Sequence, residues 1–187
     1  MRTDRLWLRE FTAGDLDLLI ALHRDPEVMW FLTKGVPYTV EENREFLETV
    51  IAEYPRHPGY GVFAGFRRDT DEFIGWFAAH PTHDQPVTSP EIGYRLMRTA
   101  WGFGFATEAS RALIERAFAD LGATRVWAET MAVNARSRSV MAKLGMRHVD
   151  TWYGEWDDPV PGSDQGEVVY EITREQWLAS RSHTLRS

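Results

Sequence analysis

Two glycines at the junction of a predicted strand and a predicted helix are the most informative chemical feature of this chain. Gly102 and Gly104 follow the apolar run EIGYRL and precede a long helical pattern. Glycine has no Cβ, so a ligand is able to approach the backbone closely there. The N–H groups from Phe103 to Thr107 lie at the positive end of the helix dipole without intrahelical partners, which predicts a site for a diphosphate or similar anion. The spacing alone fits equally well a tight turn that binds nothing.

A second polar junction follows the next predicted strand, TRVWAETM. Asn134 stands directly before a short helical pattern, and Ser137 lies in the first turn of that pattern. Asparagine is a good helix cap, and its amide also offers a ligand one acceptor and two donors. Both interpretations of Asn134 stay open at the level of the sequence.

The order of the predicted elements indicates an α+β fold. A first strand and three helical segments are followed by an antiparallel hairpin, formed by GYGVFAGFR and EFIGWFAAH. A strand, the long helix, a strand, a short helix and two closing strands complete the pattern. This order lacks the regular strand–helix alternation of a doubly wound parallel sheet.

Three motifs in sequence order resemble the GNAT N-acetyltransferase superfamily. They are EIGY, WGFGFATEA and NARSRSVMAKLGM, and the opening TDRLWLREFTAGDLDLL fits as well, so the likeness spans residues 3–172. Within that superfamily the chain is most similar to the ribosomal-protein N-terminal acetyltransferases (the RimJ/RimL-type branch) and related small-molecule acetyltransferases. The resemblance implies one domain with a mixed central sheet, splayed between strands four and five, where acetyl-CoA lies.

The resemblance also implies an enzyme that moves an acetyl group from acetyl-CoA to a primary amine, by direct attack in a ternary complex and without a metal. The amine belongs to a small molecule or to a protein N-terminus. The alternative is a non-catalytic CoA-binding or assembly protein on the same fold. A dinucleotide-binding oxidoreductase is disfavoured, because Thr107 stands where the third glycine of that fingerprint belongs and no βαβ opening surrounds it.

Cofactor contacts are implied at the end of one strand, at the glycine turn and at the two helix starts. The implied residues are Leu96, Met97, Arg98, Gly102, Phe103, Gly104, Phe105, Ala106, Thr107, Asn134, Ser137 and Arg138. A backbone N–H near Leu96 is the expected donor to the thioester oxygen. Members of the family usually carry Lys, Arg or Gln where Phe103 stands, so a cation for the diphosphate is expected from Arg95, Arg98 or Arg138.

The reaction needs a base for the ammonium group of the acceptor and a means of stabilising the departing thiolate. Glu91 is the first choice as base, with Glu129 second and the histidines His80 and His83 as alternatives. For the thiolate the candidates are Ser137 or a water. Many relatives carry a tyrosine where this chain has Met141, and core packing is the simpler interpretation of that methionine.

The acceptor pocket is implied on two aromatic segments, one early in the chain and one between the last two strands. Its residues are Trp30, Tyr38, Glu91, Trp152 and Trp156. A cationic amine would find ring faces and carboxylates there. A dimer contact is the alternative interpretation of the second segment, and the family analogy admits a homodimer.

Composition limits the remaining possibilities. A chain of 187 residues predicts a single domain, with a core over residues 3–173 and a C-terminal tail over 174–187 that is polar and frayed after Trp177. The net charge of −7 disfavours a nucleic-acid partner and weakly favours cationic acceptors. Absence of cysteine excludes disulfides and a thiol nucleophile. No signal peptide or membrane span is apparent, so a cytoplasmic protein without a membrane partner is expected.

Overall fold

A seven-stranded mixed sheet forms the centre of the molecule, and the computed structural model describes residues 1–184 of the chain. The strands lie in the order β1-β2-β3-β4-β5-β7-β6. Their bounds are Leu6–Glu10 (β1), Gly61–Arg67 (β2), Phe73–His80 (β3), Glu91–Leu96 (β4), Arg125–Met131 (β5), Arg147–Trp152 (β6) and Glu167–Thr173 (β7). Only β4 and β5 run parallel among these neighbours. The mixed sheet confirms the predicted α+β class.

Helices cover both faces of the sheet. They are Leu16–His23 (α1), Pro26–Thr33 (α2), Val40–Glu53 (α3), Phe105–Ala119 (α4), Ala135–Lys143 (α5) and Arg174–Thr184 (α6). The larger core lies where α4 and α5 pack on one face, around Phe77, Leu113 and Phe118. A smaller core lies on the other face, where Leu19 of α1 and Leu47 of α3 cover β1 to β3. On that second face α1 and α3 pack on β2 and β3, and within residues 1–184 no helix packs extensively on the strands beyond β4.

The sheet divides between β4 and β5. A single residue pair, Glu91 with Trp127, joins these two parallel strands, whereas β3 and β4 are joined by six residue pairs. Beyond that pair the two strands part, as the splayed sheet in the sequence analysis predicts. Main-chain groups on the facing edges of β4 and β5 are therefore left outside the ladder.

Two side-chain interactions in the first half of the chain stabilise it locally. One caps the start of α3, and the other pairs a buried carboxylate with an arginine. Thr39 and Glu42 form a capping box at the start of α3, with the Glu42 carboxylate accepting from the Thr39 N–H at 2.6 Å. The guanidinium of Arg9 donates to both oxygens of Asp15, at 2.6 and 2.7 Å. This pairing lowers the pKa of the buried Asp15 carboxyl to about 2, and hydrogen bonds from Thr12 assist it.

The end of the described chain differs from the sequence-based expectation. Residues 174–184 form α6 instead of a frayed tail, and its Trp177 ring packs against Phe118 of α4 at 5.3 Å between centroids. The frayed ending was therefore wrong for these residues, because Trp177 supplies an apolar anchor. The three residues after Thr184 lie outside the described part of the chain. Within residues 1–184 no helix combines the length and apolarity that crossing a membrane requires.

Candidate active site

The glycine turn before α4 has an open, uncapped geometry. Gly102 and Gly104 both have φ of +83°, a conformation that side chains with a Cβ rarely adopt. A Cβ built on Gly102 would meet nothing within 4 Å, so the space above the turn is free of protein atoms. Gly104 is the N-cap residue of α4 and supplies no side-chain hydrogen bond. The first turn of α4 thus presents unclaimed N–H donors to open space, which fits a diphosphate.

Arg5 brings a cation to this turn, a contribution that sequence reasoning missed. Its Nη1 donates to the carbonyl of Phe103 at 2.9 Å, and its Nε pairs with Glu108 at 2.7 Å. The guanidinium also lies over the Phe105 ring, 4.7 Å from the centroid. The Cβ position of Gly104 is 3.6 Å from Nη2 of Arg5. No local motif marks Arg5, because the contact joins the start of the chain to a turn almost a hundred residues later.

The three arginines expected near the diphosphate are engaged elsewhere. Arg98 forms ion pairs with Asp25 and Glu27 at the start of α2, at 3.3 and 3.1 Å. Arg138 donates to the carbonyl of Ala132 at 3.0 Å and to the Tyr170 hydroxyl at 3.3 Å. Arg95 lies on the opposite face of the sheet from α4 and α5. Their cofactor contacts stay predictions, whereas Arg136 stacks on Trp101, next to the turn, at 4.7 Å.

The end of β4 is fixed to the glycine turn. The Trp101 indole N–H donates to the carbonyl of Leu96 at 2.9 Å, and the N–H of Met97 donates to Ile74 of β3 at 2.9 Å. Leu96 is buried, and Phe105 packs in the same core. The other turn residues, Ala106 and Thr107, are half-buried at the start of α4, and Phe103 is exposed. The strand and the turn therefore form one continuous rigid edge.

Asn134 and Ser137 meet at the start of α5. The Asn134 Oδ1 accepts from the Ser137 N–H at 3.2 Å, and its Nδ2 donates to Thr130 at 3.1 Å. The capping interpretation of Asn134 is thus observed, and its contact with a cofactor stays a prediction. Met141 is buried in the core, as the packing interpretation expects.

Tyr94 of β4 approaches Ser137, a pairing that sequence reasoning missed. Its hydroxyl lies 2.9 Å from the Ser137 Oγ and 3.2 Å from the Ser137 carbonyl. Burial raises the pKa of Tyr94 to about 12, so the hydroxyl keeps its proton at neutral pH. Tyr94 stands inside the EIGY motif, and strand alternation alone would have placed it on the face that α5 covers.

Three carboxylates from neighbouring strands gather on the sheet face that α1 and α3 leave open. They belong to Glu91, Glu129 and Glu167 on β4, β5 and β7. Burial, followed by the charge of Glu129, raises the pKa of Glu91 to about 7. The same two causes raise the pKa of Glu167 to about 7. Glu167 escaped sequence analysis, because its proximity depends on β7 inserting between β5 and β6.

The histidine alternatives lie at the margin of this cluster. His80 Nε2 is 3.8 Å from a Glu91 oxygen, and burial lowers the pKa of His80. A neutral His80 therefore adds little charge next to Glu91. His83 lies exposed in the loop that follows β3.

The later aromatic segment contacts the carboxylates, and the early one lies beside Arg95 of β4. Trp152 donates its indole N–H to Glu129 at 2.7 Å, and its ring lies 6.1 Å from that of Trp156. Lys34, after α2, pairs with Asp158 in the loop between β6 and β7, so the two segments touch. The residues that the early segment contributes are Tyr38, packed on His23 at 5.1 Å, and Trp30, which is 45% exposed.

The chain is similar in sequence to known acetyltransferases. The family described as acetyltransferase (GNAT) domain matches residues 5–147. The chain is 39% identical over 184 residues to a protein of Aspergillus fumigatus named FsC-acetyl coenzyme A-N(2)-transacetylase, covering 95% of this chain and 77% of that protein.

Solved structures share the fold. One is RimL, a ribosomal L7/L12 alpha-N-protein acetyltransferase in complex with coenzyme A, with a TM-score of 0.76, 18% identity and coverage of 93% of this chain and 97% of that one. Another is the ribosomal-protein-S5-alanine acetyltransferase of Vibrio fischeri, with a TM-score of 0.73, 18% identity and coverage of 95% and 97%. At these identities the likeness concerns the fold alone.

Proposed function

Because this chain belongs to the GNAT acetyltransferase family and is an acetyl-CoA-dependent N-acetyltransferase, we propose that Glu91 serves as its base in direct attack by an α-amine on the thioester. One observation carries the proposal. The six-residue strand β4 begins at Glu91, whose pKa is raised to about 7, and a short 3-10 turn over Arg98–Ala100 connects its end to the uncapped glycine turn. A candidate base and a candidate phosphate site thus lie at the two ends of one short segment, which the bond from Trp101 to Leu96 holds together.

The glycine turn holds the diphosphate of acetyl-CoA in this proposal. Main-chain N–H groups of the first turn of α4 donate to it, and the helix dipole favours its charge. Arg5 provides the nearby cation that Phe103 does not. Acetyl-CoA supplies an activated acetyl group, and the parted edges of β4 and β5 receive its thioester arm. Asn134 and Ser137 border that gap from α5.

Glu91 accepts the proton that the acceptor amine must lose. An α-amino group has an ordinary pKa of about 8 and a lysine-like amine one of about 10.4. The pKa of the base, about 7, therefore differs by about one unit from that of an α-amino group and by about three units from that of a lysine-like amine. This match favours an α-amine. Glu129 and Glu167 attract the ammonium form before its proton moves.

The departing sulfur meets hydroxyl groups on the other face of the splayed strands. Tyr94 and Ser137 share a hydrogen bond of 2.9 Å there. A thiol has an ordinary pKa of about 8.5, so full proton transfer from a tyrosine with a pKa of about 12 is uphill. The pair therefore stabilises the thiolate by hydrogen bonding, while its proton comes from solvent.

A small-molecule acceptor is favoured over a protein N-terminus. The Aspergillus fumigatus relative, which is 39% identical, has a name that specifies an N(2)-transacetylase and names no ribosomal protein. The ribosomal-protein acetyltransferases share the fold at only 18% identity. The acceptor pocket in the proposal is formed by Trp152, Trp156, Tyr38, Trp30 and the three carboxylates.

Two measurements test the proposal together. Acetyl-CoA and CoA, but not NADH, should raise the melting temperature, because a ligand of the folded state stabilises it by mass action. Release of free thiol should then be followed with a panel of amines that compares α-amino and ω-amino acceptors of equal size. Stabilisation by NADH alone would refute cofactor binding at the turn. Stabilisation by CoA with no thiol release from any amine would indicate a binding protein instead.

A further inference from the structure

Arg95 places a positive charge in the acceptor-facing side of β4. Its Nη1 lies 2.9 Å from His23 Nε2, and its guanidinium stacks on the rings of Trp76 and Tyr38 at 5.2 and 5.9 Å. Met29 contributes a sulfur contact at 3.9 Å. Within residues 1–184 no carboxylate lies at ion-pair distance from Arg95. Its neighbours are thus all neutral groups.

His23 orients Arg95 without neutralising it. The Asn43 Nδ2 donates to the Thr39 carbonyl at 2.8 Å, which leaves its Oδ1 as an acceptor for His23 Nδ1–H at 2.7 Å. His23 Nε2 therefore carries a lone pair and accepts from Arg95. Burial, followed by the charge of Arg95, lowers the pKa of His23 to about 4, so the ring stays neutral at physiological pH.

An arginine in such surroundings is costly for the fold. The half-buried guanidinium of Arg95 has a neutral histidine and two ring faces around it but no carboxylate partner, and its burial lowers its pKa. Several other arginines of the chain do have carboxylate partners, as in the pair of Arg125 with Glu171 at 2.5 Å. An apolar side chain would pack between Trp76 and Tyr38 at lower cost. The charge at Arg95 therefore points to a ligand with an opposite charge.

The position of Arg95 connects that ligand to the acceptor. Glu91, Gly93 and Arg95 project to the same face of β4, because side chains alternate along a strand. The Cα atoms of Glu91 and Arg95 are about 13 Å apart, since four residues span about 3.3 Å each. Gly93 has no side chain, so no side chain of β4 stands between Glu91 and Arg95, and the ring of Trp76 lies beside this position. The indole N–H of Trp76 is itself buried and has no hydrogen-bond partner within residues 1–184.

We propose that Arg95 binds a carboxylate of the amine acceptor, so that the enzyme selects short peptides or extended acidic conjugates whose amine and carboxylate can span up to about 13 Å. The guanidinium makes a charge-assisted pair with the carboxylate oxygens, and the amine reaches Glu91. This inference rests on the proposed function and specifies its substrate. Amino sugars and polyamines, which lack a carboxylate, are poor acceptors in this account.

Acceptors of graded length test the inference. Glycine, diglycine, triglycine and tetraglycine carry one α-amine each, and their C-terminal amides are matched neutral partners. At saturating acetyl-CoA, thiol release should give a kcat/KM about tenfold higher for the acid than for the amide at the best length. Arg95→Met should bring this ratio close to one, and Arg95→Lys should keep part of it. Arg44→Met, an exposed control on α3, should leave the ratio unchanged.

Stability measurements separate recognition from a structural role. Arg95→Met removes a half-buried charge that lacks a carboxylate partner but also removes the donor to His23 Nε2, so its melting temperature should change little from that of the parent. Equal kcat/KM for acids and amides in the parent, or a ratio that Arg95→Met leaves intact, would overturn the inference. A large drop in melting temperature with both acceptor classes equally impaired would also overturn it, in favour of a packing role.

The proposed function has its own, independent readout. If none of the glycine peptides releases thiol, calorimetric titration of acid and amide into the CoA-saturated protein decides, and equal binding of the two overturns carboxylate recognition. Stabilisation by acetyl-CoA together with turnover of another amine would then leave the acetyltransferase proposal standing.

Discussion

The first turn of α3 is capped by side chains, whereas the first turn of α4 is not. At α3, Thr39 and Glu42 close the helix end with a reciprocal pair of hydrogen bonds. At α4, Gly104 stands in the same position and offers no side chain. The chain therefore has the means to satisfy a helix end and does not use it at α4. The contrast is between a helix end that is closed by its own side chains and one that is left open where the diphosphate is proposed to bind.

Two carboxyls repeat this contrast. The buried Asp15 is paired with Arg9, which holds its pKa at about 2, whereas the half-buried Glu91 has no arginine or lysine partner within residues 1–184 and its pKa rises to about 7. The first carboxylate supports the fold, because its charged form is favoured there. The second weakens the fold in its charged form, and that same form is a base in the neutral range.

The largest expected effect comes from closing the turn of α4. Gly104→Asp places a carboxylate where the diphosphate is proposed to lie. Aspartate is among the residues with a Cβ that adopt a positive φ most readily. Like-charge repulsion at contact distance should weaken acetyl-CoA binding by on the order of 100-fold or more. The helix dipole favours the new charge, so the melting temperature should change little. Calorimetric titration of acetyl-CoA, with melting curves in parallel, checks both expectations.

The matched control lies at the other helix. Thr39→Ala should lower the free energy of unfolding by about 1 kcal/mol, because a cap is lost, and should leave acetyl-CoA affinity within about twofold of the parent. The neutral variant Gly104→Asn separates added volume from added charge. If Gly104→Asp binds acetyl-CoA as tightly as the parent, the diphosphate lies elsewhere and the contrast between the helices has no functional meaning.

The next effect concerns Glu91. In the parent, the rate at saturating substrate should rise with pH as Glu91 loses its proton around pH 7. Glu91→Gln should lower kcat at pH 7.5 by about 100-fold and remove that rise. Glu48→Gln, at an exposed position on α3, is the matched control and should leave kcat and the pH profile unchanged. Superimposable pH–rate profiles for parent and Glu91→Gln would show that another group is the base.

The smallest effect is on stability alone. The folded-state pKa of Asp15 is about 2 against an ordinary 3.8, so its contribution is fully present above pH 3.8 and is lost as the pH falls toward 2. Asp15→Asn should therefore cost about 2 kcal/mol at pH 7 and progressively less in acid, with kcat unchanged. Glu91→Gln should have the opposite sign, because a raised pKa stabilises the fold below pH 4.5 and that gain is lost as the pH rises through 7. Denaturant unfolding from pH 2.5 to 8 compares the two variants, and a loss of stability in both would contradict the contrast.

Short sequence motifs predicted the helix starts and the hairpin of the fold well. The capping box of Thr39, the glycine turn and the cap at Asn134 all depend on residues close in sequence, and the structure has helices beginning at each. The hairpin of β2 and β3 follows from two apolar runs around a polar turn. The helix after Thr173 was missed, because its single apolar anchor Trp177 gives too weak a periodic pattern.

The interior of the site was harder to predict, since it depends on contacts between distant segments. Arg5 reaches the glycine turn only because β1 lies on the far edge and its preceding residues fold back toward α4. Tyr94 meets Ser137, and His23 meets Arg95, across the two faces of one strand. Glu167 joins the carboxylates because β7 inserts beside β5. Strand order decides each of these meetings, and spacing along the chain does not encode it.

The parting of β4 and β5 also determines which mutations are informative there. Past the pair of Glu91 with Trp127, the groups along the gap are amides and carbonyls of the main chain. Alanine scanning would leave every one of these main-chain groups in place, so it would not detect their contribution to binding. Substitution by proline tests that contribution directly, because it deletes one amide proton and fixes φ. A methylated amide introduced by semisynthesis is a second test.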